Sequence, residues 1–247
     1  MEHTAHFFFH GSLNDFLSRE RRDTLFCFRF GGAPAIKDAI EAVGVPHPEV
    51  VAIEVNGAAV YFNYQLRAED KVEVFPAFNT KTVSDVTSLR QTRPVPARFV
   101  LDVHLGKLAK SLRLLGFDTL YENNYTDKEI AQLAAAENRI VLTRDVGLLK
   151  QKTVALGYWL RSQHLEEQLL EVIGYFELKE EFKPFDRCLV CNGQVALVAK
   201  ESVLQQLPPK TKLYFDEFFQ CTVCKRVYWK GSHYDSMMAF LEKLEKE

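Results

Sequence analysis

Alternating hydrophobic and polar positions predict a β-rich region at the beginning of the chain. The strand pattern occurs in five segments, residues 5–9, 24–30, 50–55, 60–62 and 71–76. One helix interrupts them at residues 36–43, where apolar side chains recur at intervals of three and four and Gly44 follows. The dipeptide Asn56-Gly57 is typical of a tight hairpin turn. This pattern predicts a small domain in which one helix packs on a sheet.

The order of these elements resembles a ubiquitin-like β-grasp domain, which we place at residues 1–80. The helix and the Asn56-Gly57 turn are also similar to those of sulfur carriers, which end in an exposed Gly-Gly. Here the segment continues past Pro76 without such a tail. We therefore expect an interaction or scaffold role with a protein partner rather than carrier chemistry. Residues 81–97, which include Pro94 and Pro96, have the composition of a linker.

From residue 98 the pattern changes to short apolar strands that alternate with helices. We predict strands at residues 98–101, 118–121, 139–143 and 154–160, and helices at residues 105–115, 126–137 and 165–173. Thr126 and Glu129 have the spacing of a capping box at the start of the second helix. Such alternation is typical of a parallel sheet covered by helices on both faces. The region has no glycine-rich phosphate loop.

Three aspartates lie where ligands of such a sheet usually bind. Asp102 and Asp145 come after the first and third strands, and Asp127 begins the helix after the second strand. Because ligands bind at the carboxyl ends of parallel strands, we expect the three carboxylates at one edge. Converging carboxylates repel one another unless a cation such as Mg²⁺ or Mn²⁺ joins them, and that cation can promote hydrolysis of a phosphodiester. The alternative is that Asp127 and Asp145 each act as a local helix cap.

The first helix of the α/β region has a cationic side. Lys107, Lys110 and Arg113 recur at intervals of three, across from a stripe of leucines. We interpret these side chains as contacts for the phosphates of a nucleic-acid strand that passes the acidic site. The alternative interpretation is an ordinary solvated helix face.

Four cysteines form two Cys-x-x-Cys pairs towards the end of the chain, Cys188 with Cys191 and Cys221 with Cys224. Two such pairs supply the four thiolates of a tetrahedral Zn²⁺ site. A site with four thiolates is structural, because it leaves no position open for water. A redox pair or buried free thiols explain the duplication less well. Cys27 lies in an apolar run and is interpreted as a core residue.

Composition and charge narrow the class of protein further. The 247 residues suffice for two or three small domains, and the net charge of −2 gives no overall basic field that would attract nucleic acid. A polyanion must therefore bind a local patch. We expect a cytoplasmic protein without a membrane partner, because the sequence has no apolar run of membrane length, no secretory pattern, and cysteine pairs that favour metal over disulfides.

Three blocks of the sequence resemble the Mut-seven C-terminal RNase family, in the order of that family. They are residues 99–119, residues 142–145 with 148–149, and the cysteine pairs with their flanks at residues 187–193 and 221–234. The resemblance implies a PIN-like α/β/α nuclease domain at residues 98–184 and a zinc ribbon with a C-terminal helix at residues 185–247. It implies that Asp102 and Asp145 hold a catalytic metal in an acidic site that Asp127 completes. It also implies the ubiquitin-like domain that precedes the nuclease domain.

We therefore predict a metal-dependent ribonuclease that hydrolyses RNA phosphodiesters with a catalytic Mg²⁺ or Mn²⁺ and a structural Zn²⁺. Candidate substrates are tRNA and other structured or single-stranded RNAs. The expected RNA contacts are Lys107, Lys110, Arg113, Arg144, Arg226, Trp229 and His233. Ser111 departs from the family, which often has an aromatic residue there, so the contact with RNA is expected to differ.

Two alternatives accompany this prediction. The first concerns Trp229, for which packing inside the ribbon is the alternative to a contact with RNA. The second concerns the whole protein, which would be a non-catalytic RNA-binding or adaptor protein. In that case the acidic site is degenerate and the ubiquitin-like domain recruits other proteins.

Overall fold

A computed structural model describes residues 2–76, 89, 92–231, 234 and 238–239. The chain divides into two compact units. The first contains Met1–Pro94 and Thr126–Leu160, and the second contains Val95–Tyr125 and Arg161–Glu247. The first unit thus combines the ubiquitin-like region with a segment from the middle of the predicted nuclease domain.

The N-terminal part of the first unit is a mixed sheet with one helix. Its strands are β1 (Glu2–Phe9), β2 (Phe26–Gly31), β3 (Ala52–Val55), β4 (Ala58–Ala59) and β5 (Lys71–Phe75), and its helix is α1 (Ile36–Val43). Short 3-10 helices lie at Gly11–Phe16, Arg19–Arg21 and His47–Glu49. The strand order is β2-β1-β5-β3-β4, with β1 and β5 parallel and the other neighbours antiparallel. This arrangement confirms the predicted ubiquitin-like fold.

The core of this part follows from the alternation in β1. Ala5, Phe7 and Phe9 point to one face of the sheet and join one buried cluster with Ile36 and Ile40 of α1. Each of these side chains is at most 1% exposed. Full burial of a large apolar side chain stabilises the folded state by about 1.5–3 kcal/mol. The apolar residues of β1 recur every second position and those of α1 at helical spacing, so both sets reach the same core and stabilise the domain.

The predicted hairpin turn is present, but the strand predicted after it is wrong. Asn56 and Gly57 have φ values of 53° and 79°, the left-handed pair that a two-residue turn between β3 and β4 requires. The strand after the turn covers only β4. The predicted strand at residues 60–62 is replaced by a turn, in which the amide of Tyr64 donates to the carbonyl of Tyr61 at 3.0 Å.

The α/β region follows the predicted alternation. Its elements are β6 (Arg98–Leu101), α2 (Gly106–Leu114), β7 (Asp118–Leu120), α3 (Asp127–Glu137), β8 (Ile140–Thr143), α4 (Val146–Leu149), β9 (Gly157–Trp159) and α5 (Leu165–Phe176). Strands β6 and β7 form a parallel pair in the second unit, and β8 and β9 form a parallel pair in the first. Thr126 begins α3 with a complete capping box that includes Glu129. The predicted α/β class with parallel strands is confirmed.

The end of the second unit is a small antiparallel ribbon. Its strands are β10 (Val195–Val198), β11 (Phe218–Cys221) and β12 (Val227–Trp229), in that order, and α6 (Lys200–Val203) and α7 (Pro209–Tyr214) lie between the first two. Val203, Leu207 and Phe218 form its buried core. The inserted helices explain the long spacing between the two cysteine pairs. The C-terminal helix predicted after the ribbon falls largely outside the described residues.

The predicted boundaries between the domains, after residues 80, 97 and 184, stay predictions. The linker placed at residues 81–97 lies largely outside the described ranges, and the two compact units do not follow the predicted boundaries. No helix within residues 2–76 and 92–231 is both long enough and apolar enough to cross a membrane.

Candidate functional site

The four cysteines of the ribbon come together as a candidate metal centre. Their sulfur atoms all lie within 4.8 Å of one another. The closest pairs join Cys188 to Cys224 at 3.6 Å and Cys191 to Cys221 at 3.4 Å. These distances are far longer than a disulfide bond of about 2.05 Å. They fit a tetrahedral zinc, in which Zn–S bonds of about 2.3 Å place the sulfurs about 3.8 Å apart.

The backbone around each cysteine pair forms the same kind of knuckle. The residue after each pair, Asn192 or Lys225, has a left-handed φ, 63° and 61° respectively. The amide of Asn192 donates to the carbonyl of Cys188 at 2.9 Å, and the amide of Lys225 donates to that of Cys221 at 3.1 Å. A Cβ atom on Gly193 would lie 3.1 Å from the sulfur of Cys221, so glycine suits the close approach of the two knuckles.

The ionisation of the thiols also fits a bound cation. Burial raises the pKa of Cys188, but the amides of Cys191 and Val190 and the hydroxyl of Tyr228 favour its thiolate and lower the pKa to about 6. The amide of Arg226 favours the Cys224 thiolate, yet burial and the neighbouring sulfurs raise the pKa of Cys224 to about 12. The Cys224 thiol therefore stays protonated at neutral pH unless a nearby cation favours its thiolate.

Arg113 connects helix α2 and strand β7 to the first cysteine knuckle. Only 4% of the residue is exposed. Its Nε donates to the carbonyl of Thr119 at 2.9 Å, and its Nη1 donates to the carbonyls of Leu189 and Val190 at 3.2 and 3.0 Å. The predicted contact between Arg113 and an RNA phosphate is therefore wrong, because the guanidinium is buried and already donates to protein carbonyls.

The helical geometry of α2 separates Arg113 from Lys107 around the helix axis. A step of three residues turns a helix by about 300°, so the row from Lys107 to Arg113 drifts by about 120° around the axis. Lys107 and Lys110 are exposed, whereas Arg113 faces the knuckle. The two lysines stay predicted phosphate contacts.

Asn192 and Tyr228 support the knuckle by side-chain hydrogen bonds that the sequence does not predict. The amide oxygen of Asn192 accepts from the amide of Thr119 at 3.0 Å, and its Nδ2 donates to Asp118 at 2.7 Å. The hydroxyl of Tyr228 lies 3.0 Å from the sulfur of Cys188 and accepts from the amide of Leu189 at 3.2 Å. Asn192 follows a cysteine pair, which is a weak sequence signal. Tyr228 lies in the flank of the second pair, where its aromatic ring indicates packing inside the ribbon but not a bond to Cys188.

The three aspartates occupy the predicted positions along their own elements. Asp102 follows the last residue of β6 and is 7% exposed, and its Oδ1 lies 3.4 Å from the amide nitrogen of His104. Asp127 is the exposed first residue of α3. Asp145 is exposed and follows β8 with one residue between them. A shared metal site for the three carboxylates stays a prediction.

Asp145 has the capping role that the alternative interpretation predicts. Its Oδ1 accepts from the amide of Gly147 at 2.7 Å and caps helix α4. Its own amide donates to the hydroxyl of Thr143 at 2.8 Å. Capping and metal binding are compatible, because a carboxylate has about four lone-pair sites and the cap engages one oxygen.

The remaining predicted RNA contacts differ in their accessibility. Arg226 is exposed and Arg144 is half-buried. Trp229 is half-buried and packs on the ribbon core with Phe218, as its alternative interpretation predicts. His233 lies outside the described residues. Contacts of Arg144, Arg226, Trp229 and His233 with RNA stay predictions.

A ubiquitin-like domain, an α/β region with parallel strands and a ribbon with four clustered cysteines define a multidomain protein with a candidate metal centre. The family model described as Mut7-C RNAse domain matches residues 97–241, and the model described as Mut7-C ubiquitin matches residues 2–82. The chain therefore belongs to the Mut7-C RNAse domain family, which confirms the resemblance seen in the sequence. Searches of curated proteins and of solved structures found no match.

Proposed function

We propose that the protein is a metal-dependent ribonuclease that hydrolyses phosphodiester bonds of RNA. Asp145 carries the proposal, since its exposed carboxylate stands just after the carboxyl end of β8 and is oriented by the amide of Gly147. Membership of a ribonuclease family and the corresponding position of Asp102 after β6 support it. Asp127, at the start of α3, is the third proposed site residue.

In this proposal Asp102 and Asp145 hold a Mg²⁺ or Mn²⁺, with Asp127 completing the site. When bound, such a cation polarises the phosphodiester and activates water. Lys107 and Lys110 attract the RNA backbone, because both are exposed cations on α2. Arg144, Arg226 and Trp229, together with His233, are further proposed contacts for phosphates and bases.

We infer that the metal of the ribbon is Zn²⁺ and that its role is structural. Four thiolates saturate a tetrahedral ion, so no position remains for substrate or water. Zinc would fix the two knuckles, and Arg113 and Asn192 connect the first knuckle to α2 and β7. We place the protein in the cytoplasm, because a reducing compartment keeps such thiols available for metal.

The proposed activity is tested by measuring the cleavage of labelled RNA by the zinc-loaded protein in the presence of Mn²⁺. We expect cleavage by the wild type and a loss of at least about a hundredfold in Asp102→Asn and Asp145→Asn. Asp216→Asn is the matched control, because the Asp216 side chain is 93% exposed and pairs with Lys200 in the ribbon. Equal cleavage by the wild type and both site variants would contradict the proposal.

The second candidate function is a non-catalytic RNA-binding or adaptor protein. It is favoured by the local roles of two aspartates: Asp145 caps α4, and Asp127 is an acidic residue in the first turn of α3, where a negative charge is favourable without any metal. The same assay separates the two candidates. RNA binding without cleavage by any variant would support this second function, with the ubiquitin-like domain recruiting a protein partner.

A further inference from the structure

Strand β9 ends against the ubiquitin-like part of the first unit. The amide of Trp159 donates to Oε1 of Glu49 at 2.7 Å. Glu49 ends the 3-10 helix His47–Glu49 and is 1% exposed. Adjacent amides of a strand point to opposite sides, and that of Leu160 points to the carbonyl of Thr143 in β8. Glu49 thus binds the outward-facing amide of β9.

A carboxylate in this position needs hydrogen bonds, since a buried charge without partners is costly. The bond to Trp159 is short, at 2.7 Å, and it satisfies one oxygen of this buried side chain. The ring of Phe16 also packs on Trp159, with centroids 5.1 Å apart. A further bond joins Nζ of Lys150, at the end of α4, to the carbonyl of Glu41 at 2.8 Å. The ubiquitin-like part therefore forms hydrogen bonds with the end of α4 and with the end of β9.

The same tryptophan reaches the segment that carries Asp145. Its indole Nε1 donates to the carbonyl of Arg144 at 3.1 Å. The amide of Asp145 is held by the hydroxyl of Thr143, and its carboxylate is held by the amide of Gly147. A continuous chain of hydrogen bonds and covalent structure therefore runs from Glu49 through Trp159 to the peptide that precedes Asp145.

We propose that Glu49 of the ubiquitin-like domain is a positioning residue for Asp145 and acts through Trp159. This inference rests on the proposed function, in which Asp145 is a site residue. It gives the ubiquitin-like domain a partner within the same chain, namely the α4–β9 segment of the nuclease region. Loss of the Glu49 carboxylate releases Trp159, and the peptide of Arg144 then loses its fixed orientation.

The test compares Glu49→Ala with Glu49→Gln, whose side-chain carbonyl still accepts a hydrogen bond. Amide hydrogen exchange is followed at Trp159 and Gly147, and at Phe7 in the ubiquitin-like core as an internal reference. We expect exchange at Trp159 and Gly147 to rise by about tenfold or more in Glu49→Ala and to stay within about threefold in Glu49→Gln. Exchange at Phe7 should stay within about threefold in both variants.

RNA cleavage supplies the second readout. In Glu49→Ala, kcat should fall by about tenfold to a hundredfold while KM stays within about twofold, because orientation rather than RNA binding is lost. Glu49→Gln should retain most of kcat. Trp159→Phe, which keeps an aromatic side chain but removes the indole N–H, should reproduce the loss. Glu73→Gln is the control, because Glu73 pairs with His10 in the ubiquitin-like sheet.

Unchanged exchange at Gly147 in Glu49→Ala would overturn the inference. So would an equal rise at Phe7, which would indicate general destabilisation, or an equal defect in Glu49→Gln. Absence of RNA cleavage by the wild type would count against the proposed function instead. In that case the exchange at Gly147 still decides whether Glu49 fixes the Asp145 segment.

Discussion

Replacing Arg113 by Met tests how the ribbon is attached to α2 and β7. The Met side chain keeps much of the aliphatic volume but removes the three hydrogen bonds to the carbonyls of Thr119, Leu189 and Val190. Hydrogen bonds to a charged group contribute about 1.5–3 kcal/mol each, and they are not additive when they share one donor group. We expect a loss of about 4 kcal/mol in the free energy of unfolding, roughly a thousandfold in the equilibrium constant.

Two measurements detect this loss. Urea unfolding of the zinc-loaded protein gives the stability, and fluorescence reports on the ribbon because Trp229 is one of the two tryptophans in the chain. Transfer of zinc to a chelator should be faster in Arg113→Met, since two of the lost bonds reach the knuckle of Cys188 and Cys191. Lys110→Met on the same helix is the control and should change stability by less than about 0.5 kcal/mol, because Lys110 is exposed.

A loss of less than about 1 kcal/mol in the free energy of unfolding of Arg113→Met, with zinc released at the wild-type rate, would contradict the structural role of Arg113. Weaker RNA binding by Arg113→Met with an unchanged free energy of unfolding would contradict this structural role more directly. That result is what a phosphate contact at Arg113 predicts.

Three further predictions concern separate parts of the chain. Metal analysis should find one zinc per chain in the wild type and none retained in Cys221→Ser, and a metal-free wild type would contradict the ribbon centre. Burial raises the pKa of Glu41, but its hydrogen bond and charge contact with His47, together with the charges of Lys37 and Lys150, lower it overall. Its contribution to stability is therefore present above about pH 4.5 and lost as the pH falls further. The stability difference between wild type and Glu41→Gln should therefore shrink in urea titrations from pH 6 to pH 3, and a constant difference would argue against the pair. Thr126→Ala should lower the free energy of unfolding by about 1 kcal/mol, because it removes the cap of α3, and hydrogen exchange in α3 should become faster. The control Thr222→Ala, in the ribbon, should leave exchange in α3 unchanged. Unchanged exchange of α3 in Thr126→Ala would contradict this prediction.

Local signals in the sequence predict much of the fold. The helix at residues 36–43 has the predicted bounds because its apolar spacing and the following Gly44 are both short-range features. The capping box of Thr126 and Glu129 and the clustering of the cysteine pairs are confirmed for the same reason. The predicted strand at residues 60–62 is wrong, because its apolar residues lie at a turn and not along a strand.

Long-range contacts are what the sequence does not reveal. Arg113 follows two exposed lysines at intervals of three, which suggests that it shares their exposure, but two of its partners are 76 and 77 residues away in the first knuckle. The bond between Glu49 and Trp159 spans 110 residues and joins two regions that the sequence predicts as separate domains. Such contacts depend on how the elements pack, and no local pattern of residue types encodes them.

The most direct test of the account is the metal dependence of RNA cleavage at Asp145. End-labelled RNA is incubated with zinc-loaded wild type, Asp145→Asn and the control Asp216→Asn, first with EDTA and then with increasing Mn²⁺. We expect Mn²⁺-dependent products from the wild type and from Asp216→Asn, and a rate at least about a hundredfold lower from Asp145→Asn. Cleavage that is as fast in Asp145→Asn as in the wild type, or that persists in EDTA, would contradict it.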